Sequence, residues 1–288
     1  MVADRIQRKI FREGSTTFFN SSLFFPPDVR HDVFTLYCFV RTADDFVDTI
    51  PQRANDFYYF RENYCNALNG HPAQNPVIDQ FIELMQRKGF DPQWVESFLD
   101  TMELDLSKKS YSSIEEIIEY MYGSAEMIGL FMMRIMDLPP EASRYARMQG
   151  RAMQYINFIR DIEEDRQLGR TYLPLGDSKI TILDYEHTLS EPDAFIHFMH
   201  VQISRYREWQ SEARKGFIFL PLRYLIPIKT ATDMYNWTAR KIELDPFIVF
   251  YQKVKPSQKQ VRLQLISNFL RIGLLRKSVQ REASLCKT

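Results

Sequence analysis

The chain has 288 residues, 37 of them basic and 37 acidic, so its formal net charge is zero and the overall balance does not point to a nucleic-acid partner. That length is ample for a sizeable core, and one large domain over residues 1–288 is expected. The 10 glycines form no phosphate loop and no GxGxxG, which argues against P-loop and dinucleotide folds, and the three cysteines lack CxxC or framework spacing, which fits a reducing cytoplasm.

At the N-terminus, MVADRIQRKIFREG lacks the continuous apolar core of a signal peptide, and no later window approaches the roughly 20 apolar residues that span a bilayer. A soluble protein is expected. The first unusual stretch is FVRTADDFVDTI, residues 39–50, where Asp44, Asp45 and Asp48 interrupt an apolar run. On a helix, Asp44 and Asp48 project from one face a turn apart, while Phe46, Val47 and Ile50 pack elsewhere. Like charges at that spacing repel. They persist either as a solvated helix edge or because a cation binds them, and hard oxygen ligands suit Mg²⁺ or Mn²⁺.

Further along, DPQWVESFLDTMELDL, which opens on Asp91 with Pro92 in its first turn, and IEEIIEYMYGSAEMIGLFMMRIM repeat apolar residues at intervals of three and four. Alternating strand patterns are rare, so the fold class expected is all-α. Punctuation at FFPPD, LNGHPAQNP, DLPPE and YLPLGDS divides the chain into eight to ten helices, with the longest loops around residues 66–76 and 174–192.

A second polar stripe follows in MQYINFIRDIEEDRQLGRTYLP, residues 153–174. Asn157, Asp161 and Asp165 are spaced at i, i+4 and i+8 along one helical face, with Gln154 nearby, and Glu163 and Glu164 are assigned to the solvated face. Two such stripes facing each other across a cavity are what a trinuclear Mg²⁺ site needs to hold a diphosphate. Arg41, Arg160 and Arg170 beside them can donate to phosphate oxygens, or can pair with the neighbouring carboxylates instead. At the C-terminal end, residues 261–288 carry six basic residues and one acidic residue beside Leu263, Leu265, Ile266, Phe269, Leu270, Leu274 and Leu275. This is either the last core helix with a solvated side or a surface for peripheral contact with the inner, anionic face of a membrane.

The segments YCFVRTADDFVD and QYINFIRDIEEDRQLGRTYLP resemble the two signatures of the squalene/phytoene synthase family, the second of which reads Q-x-x-N-x-x-R-D-x-x-x-D followed by R-x-Y-x-P. Gln154, Asn157, Arg160, Asp161, Asp165, Arg170, Tyr172 and Pro174 all fall in register. GSTTFFNSSLFFP, ARKGFIFLP and VFYQKVKPSQKQV extend the likeness over roughly residues 5–275. The resemblance implies an all-α isoprenoid-synthase fold with helices around a central cavity. It also implies head-to-head joining of two prenyl diphosphates through a cyclopropyl intermediate. By the same likeness Asp44, Asp48, Asn157, Asp161 and Asp165 would hold Mg²⁺, and the catalytic set would be Asp44, Asp48, Asp161, Asp165, Arg160 and Tyr172. Ser15, Thr17, Tyr37, Arg41, Gln154, Arg160, Arg170 and Lys253 would meet the diphosphates.

Two positions depart from the family pattern. Glu126 stands where a glycine is usual, which would put bulk and charge beside the substrate, and Gly14 replaces a common basic residue. Small Ser21 and Ser22 favour a long tunnel and hence two C20 substrates giving phytoene. The alternatives are two C15 substrates giving dehydrosqualene, or squalene with NADPH as reductant. Non-catalytic relatives that act as assembly factors have lost the acidic residues, whereas all five ligand positions are filled here. Ordinary class I terpene synthases and chain-elongating prenyltransferases lack the Q-x-x-N-x-x-R-D spacing.

Overall fold

The structure, a computed structural model, describes residues 22–176 and 178–271. Within them the chain forms thirteen α-helices. The surplus over the eight to ten expected consists of short pieces such as Ile162–Gln167, Tyr185–Ser190 and Ile248–Tyr251. The only strand-like pairing among the described residues is a lone bridge between Ser110 and Thr171.

Helix α1 (Pro27–Val47) starts with a proline in its first turn. It is followed by α2 (Ala54–Leu68), α3 (Pro76–Lys88) and α4 (Pro92–Leu104). The cap of α4 is Asp91, whose carboxylate accepts from the Gln93 amide at 2.9 Å. The apolar run at residues 114–136 is not one helix. α5 (Ile114–Met121) passes into a π turn (Tyr122–Glu126), in which the Met127 amide reaches the Tyr122 carbonyl, and then into α6 (Met127–Ile135). Next come α7 (Ser143–Arg160), α8 (Ile162–Gln167), α9 (Tyr185–Ser190), α10 (Pro192–Arg214), α11 (Leu222–Leu244), α12 (Ile248–Tyr251) and α13 (Gln258–Leu270). The loop expected around residues 174–192 thus holds α9 near its end.

Two apolar cores flank the middle of the molecule. One gathers α1 to α4 with α6 around Phe39, Phe81 and Phe98, with Phe39 and Phe81 stacked at 3.8 Å between ring centroids. The other gathers α5, α7, α10 and α11 around Tyr155, Phe158, Phe195 and Tyr206. Between them a cavity of about 710 Å³ is walled by side chains from both cores. On α13, Val261 and Leu265 are buried, whereas Leu263, Ile266, Phe269 and Leu270 are exposed, so most of the expected apolar face within the described residues is turned outward. No helix among the described residues is long and apolar enough to cross a membrane.

Candidate active site

Helix α1 explains its own charge pattern. Tyr37, Val40, Arg41, Asp44 and Asp48 recur at helical spacing and face the cavity, while Phe39, Ala43 and Val47 are buried in the first core. From the second half of the chain, Gln154, Asn157, Arg160, Asp161 and Asp165 line the same cavity. Helix α7 ends at Arg160, and Asp161 (φ −98°, ψ 19°) turns the chain into α8. The amide-to-carbonyl bonds from Asp161 to Asn157 and from Asp165 to Asp161, both 2.8 Å, carry the i, i+4, i+8 register through that break.

Each arginine is paired with carboxylates. Arg41 bonds Asp44 at 2.7 Å and Asp45 at 2.6 Å, and Arg160 grips the adjacent Asp161 with both Nε and Nη2. Arg170 does not pair within a helix. It crosses to Asp48 at 2.6 Å and donates to the Val47 carbonyl at 2.6 Å and the Asp105 carbonyl at 3.0 Å. Burial and the nearby Asp48 push the Asp44 carboxyl well above the ordinary range, and burial with Asp161 does the same to Asp165.

Among the described residues no three His, Cys, Asp or Glu side chains converge closely enough to hold a metal ion by themselves. The donor set nevertheless fits a divalent cation shared with phosphate oxygens. Its carboxylates stand on two segments of the cavity wall, and Asn157 Oδ1 lies buried without a partner.

Glu164 is exposed, as its place on the solvated face implies, and at the edge of the cavity it pairs with Lys253. Lys253 lines the cavity as expected, and so does Lys255, which no spacing pattern marked. Other expectations are corrected. Glu126 does not enter the cavity; it is fully buried and turned to Arg147 and Arg151. Ser22 is buried but is not part of the cavity wall. Ser15, Thr17, Gly14 and Ser21 lie outside the described residues. Tyr172 lines the cavity, with its hydroxyl donated to Asp105 at 3.0 Å.

Asp105 is the residue sequence reasoning missed most plainly. It is buried, its other oxygen takes the Tyr120 hydroxyl at 2.7 Å, and burial pushes its carboxyl up to about 6. Tyr120 and Tyr235 also line the cavity. None of these three sits in a spaced motif, so nothing in the linear pattern marked them; only the folded wall brings them together.

Residues 11–262 match the profile of the squalene/phytoene synthase family. A 15-cis-phytoene synthase from a Paracoccus species is 24% identical over 257 residues, covering 85% of this chain and 84% of that protein. The chloroplastic phytoene synthase of Daucus carota is 28% identical over 274 residues, covering 89% and 68%. Among solved structures, a dehydrosqualene synthase in complex with ligand superposes with a TM-score of 0.79 at 19% identity, covering 93% of this chain and 96% of that one. A squalene synthase from Alicyclobacillus acidocaldarius gives 0.73 at 20% identity, covering 85% and 94%. These two likenesses concern the fold, which is that of the isoprenoid synthases.

Proposed function

Because the chain belongs to the squalene/phytoene synthase family and is a prenyltransferase, we propose that it joins two prenyl diphosphates head to head through a cyclopropyl intermediate, with two C20 geranylgeranyl diphosphates as the substrates and phytoene as the product. The observation that carries this reading is the pair of acidic segments, Asp44 with Asp48 and Asn157 with Asp161 and Asp165, lining one cavity whose deeper wall is apolar. The C20 choice is supported by the phytoene synthases among its relatives.

Mg²⁺, or Mn²⁺, held by Asp44, Asp48, Asn157, Asp161 and Asp165 would neutralise charge on the departing diphosphate. The remaining steps belong to the chain's own groups. Arg41, Arg160 and Arg170 exchange carboxylate partners for diphosphate oxygens, and Lys255 adds a further cation at the same end. Gln154 and Tyr37 present polar atoms beside them. Phe98, Met102, Tyr120, Ile128, Met132, Phe158 and Tyr235 form a lining that keeps water from the carbocation while offering aromatic faces to it. Asp105 fixes the Tyr120 and Tyr172 hydroxyls, so that neither ring turns freely against the substrate.

The outward apolar residues of α13, with Lys259, Arg262 and Arg271 on the same segment, support peripheral attachment to an anionic leaflet, into which a hydrocarbon product can pass.

The test is incubation of the purified chain with C15 and C20 diphosphates, each with and without Mg²⁺ and NADPH, with products resolved by mass. A C40 hydrocarbon formed from the C20 substrate without reductant and lost on chelation is expected. A C30 product alone shifts the substrate assignment to C15, and turnover that persists in chelator overturns the role given to the acidic residues.

A further inference from the structure

Glu126 is fully buried and is not part of the cavity wall, although its neighbours Ser124, Ala125 and Ile128 are. A carboxylate in that position is costly unless cations meet it. Two do. Arg147 Nε reaches Oε2 at 2.7 Å, and Arg151 reaches Oε1 through Nε at 2.6 Å and Nη2 at 2.5 Å. The two arginines are four apart on α7 and so lie on one face of it. Each guanidinium is also covered by a ring, Arg147 by Tyr122 at 5.1 Å and Arg151 by Trp209 at 5.4 Å.

The backbone around this group is packed closely against its neighbours at two glycines. A Cβ placed on Gly150 would stand 2.1 Å from the Ala125 carbonyl oxygen, and one on Gly123 would stand 1.9 Å from Thr101 Oγ1. The π turn is thus pressed between α4 and α7. Glycine contacts permit such closeness but have no feature that selects one axial position over another. A charged group gripped from two sides does. The turn also has an alternative, since relaxing to ordinary α-helix would rotate whatever follows it.

We infer that Glu126 is a positioning residue: its grip on Arg147 and Arg151 holds the π turn and sets the register of α5 and α6 against α7. The consequence lies on the cavity side of the same elements. Tyr120, Ser124, Ala125 and Ile128 come from the segment Glu126 anchors, and Gln154, Asn157 and Asp161 follow on from the helix that anchors it. The clamp therefore sets the distance between the hydrocarbon wall and the diphosphate end. Its effect on turnover rests on the proposed reaction; its effect on the π turn does not.

The test uses the full chain as wild type, as Glu126→Gln, and as Glu126→Leu combined with Arg151→Leu, an apolar pair chosen to recover stability without the clamp. Amide hydrogen exchange over residues 121–130, the thermal midpoint, and kcat and KM are read for each. For Glu126→Gln, faster exchange over 121–130 is expected, with kcat lowered about tenfold or more and KM moved by less than about threefold. In the apolar pair the thermal midpoint recovers and kcat does not. Unchanged exchange or a wild-type kcat in Glu126→Gln overturns the inference, as does a kcat that returns together with the thermal midpoint. If the wild type turns over neither prenyl diphosphate, the reaction assignment fails and the exchange result alone decides the clamp.

Discussion

Lys253 and Lys255 are two residues apart and meet different surroundings. Lys253 is held by Glu164, whereas partial burial, with Arg160 and Lys253 adding repulsion, lowers the Lys255 ammonium to about 8. Lys255 is a cation below that pH and neutral above it, so kcat/KM is expected to fall as pH rises through about 8, a break that Lys255→Met removes at the cost of a higher KM. Asp105 gives a second readout. Its folded pKa of about 6 exceeds the ordinary value of 3.8, so its contribution to stability is fully present below about pH 4 and is lost as pH rises through about 6, a change of about 3 kcal/mol. The difference in unfolding free energy between wild type and Asp105→Asn should therefore depend on pH between 4 and 7; a constant difference would refute this account. Residues of this kind explain where sequence reading stopped. Asp44 and Asp48, or Asn157 and Asp161, announce themselves by spacing, because helical periodicity brings them to one face. Asp105, Tyr120 and Lys255 each come singly from different segments, and no local pattern encodes their meeting.

Among the elements, α7 was the most legible and the π turn the least. The polar stripe of α7 survives the bend at Asp161 because the i to i+4 bonds continue through it. The π turn arises from packing instead: Gly123 and Gly150 let α4 and α7 close on it, and a sequence that is apolar at every third or fourth position reads equally well as unbroken helix. The small residue at Gly150 is therefore expected to be strict. Gly150→Ala brings a methyl against the Ala125 carbonyl and should destabilise the protein by about 1 to 3 kcal/mol in denaturant titration, although alanine is the better helix former in isolation. A stabilised variant would show that the two backbones can move apart freely.

At the scale of the molecule, the cavity runs along α7. Ala142, at the start of this helix, and Asp161, at its end, both line it, and nineteen residues of helical rise separate them by about 28 Å. Small residues Ala142, Ala146, Ala213 and Gly216 stand in the wall at the far end beside Met136, Leu138, Tyr145 and Phe217, and under the proposed reaction they, and not Ser22, would leave room for a prenyl tail. Ala146→Phe is expected to lower the ratio of C40 to C30 product at least about tenfold when C15 and C20 diphosphates compete, because an added barrier of about 1.4 kcal/mol falls mainly on the longer chain. An unchanged ratio in a folded, active variant would move chain-length control elsewhere. The outer surface has its own test: flotation with anionic liposomes should carry the protein at low salt and release it at high salt, and Phe269→Glu should abolish it, whereas no flotation at low salt removes the case for attachment through α13. The all-α class and the two acidic segments were readable in the sequence because both follow from helical periodicity. The course of the cavity was not, since it depends on which small residues from separate helices come to share one wall.

Arg170 joins Asp48 across 122 residues and touches the carbonyls of Val47 and Asp105 as well. Contacts between such distant parts of a chain form only after the intervening loop has been closed, an entropic demand that local helix formation does not face. During synthesis the first acidic segment can fold on its own helix long before Arg170 emerges, and in that interval Asp48 lacks the ion pair that Arg170 makes with it. The mouth of the site is thus completed late, by a residue from the second half of the chain. Chains stalled before residue 170 are expected to hold the acidic helix in an incomplete setting, so that competence for catalysis cannot arrive until Arg170 has been added and does not grow in proportion to length.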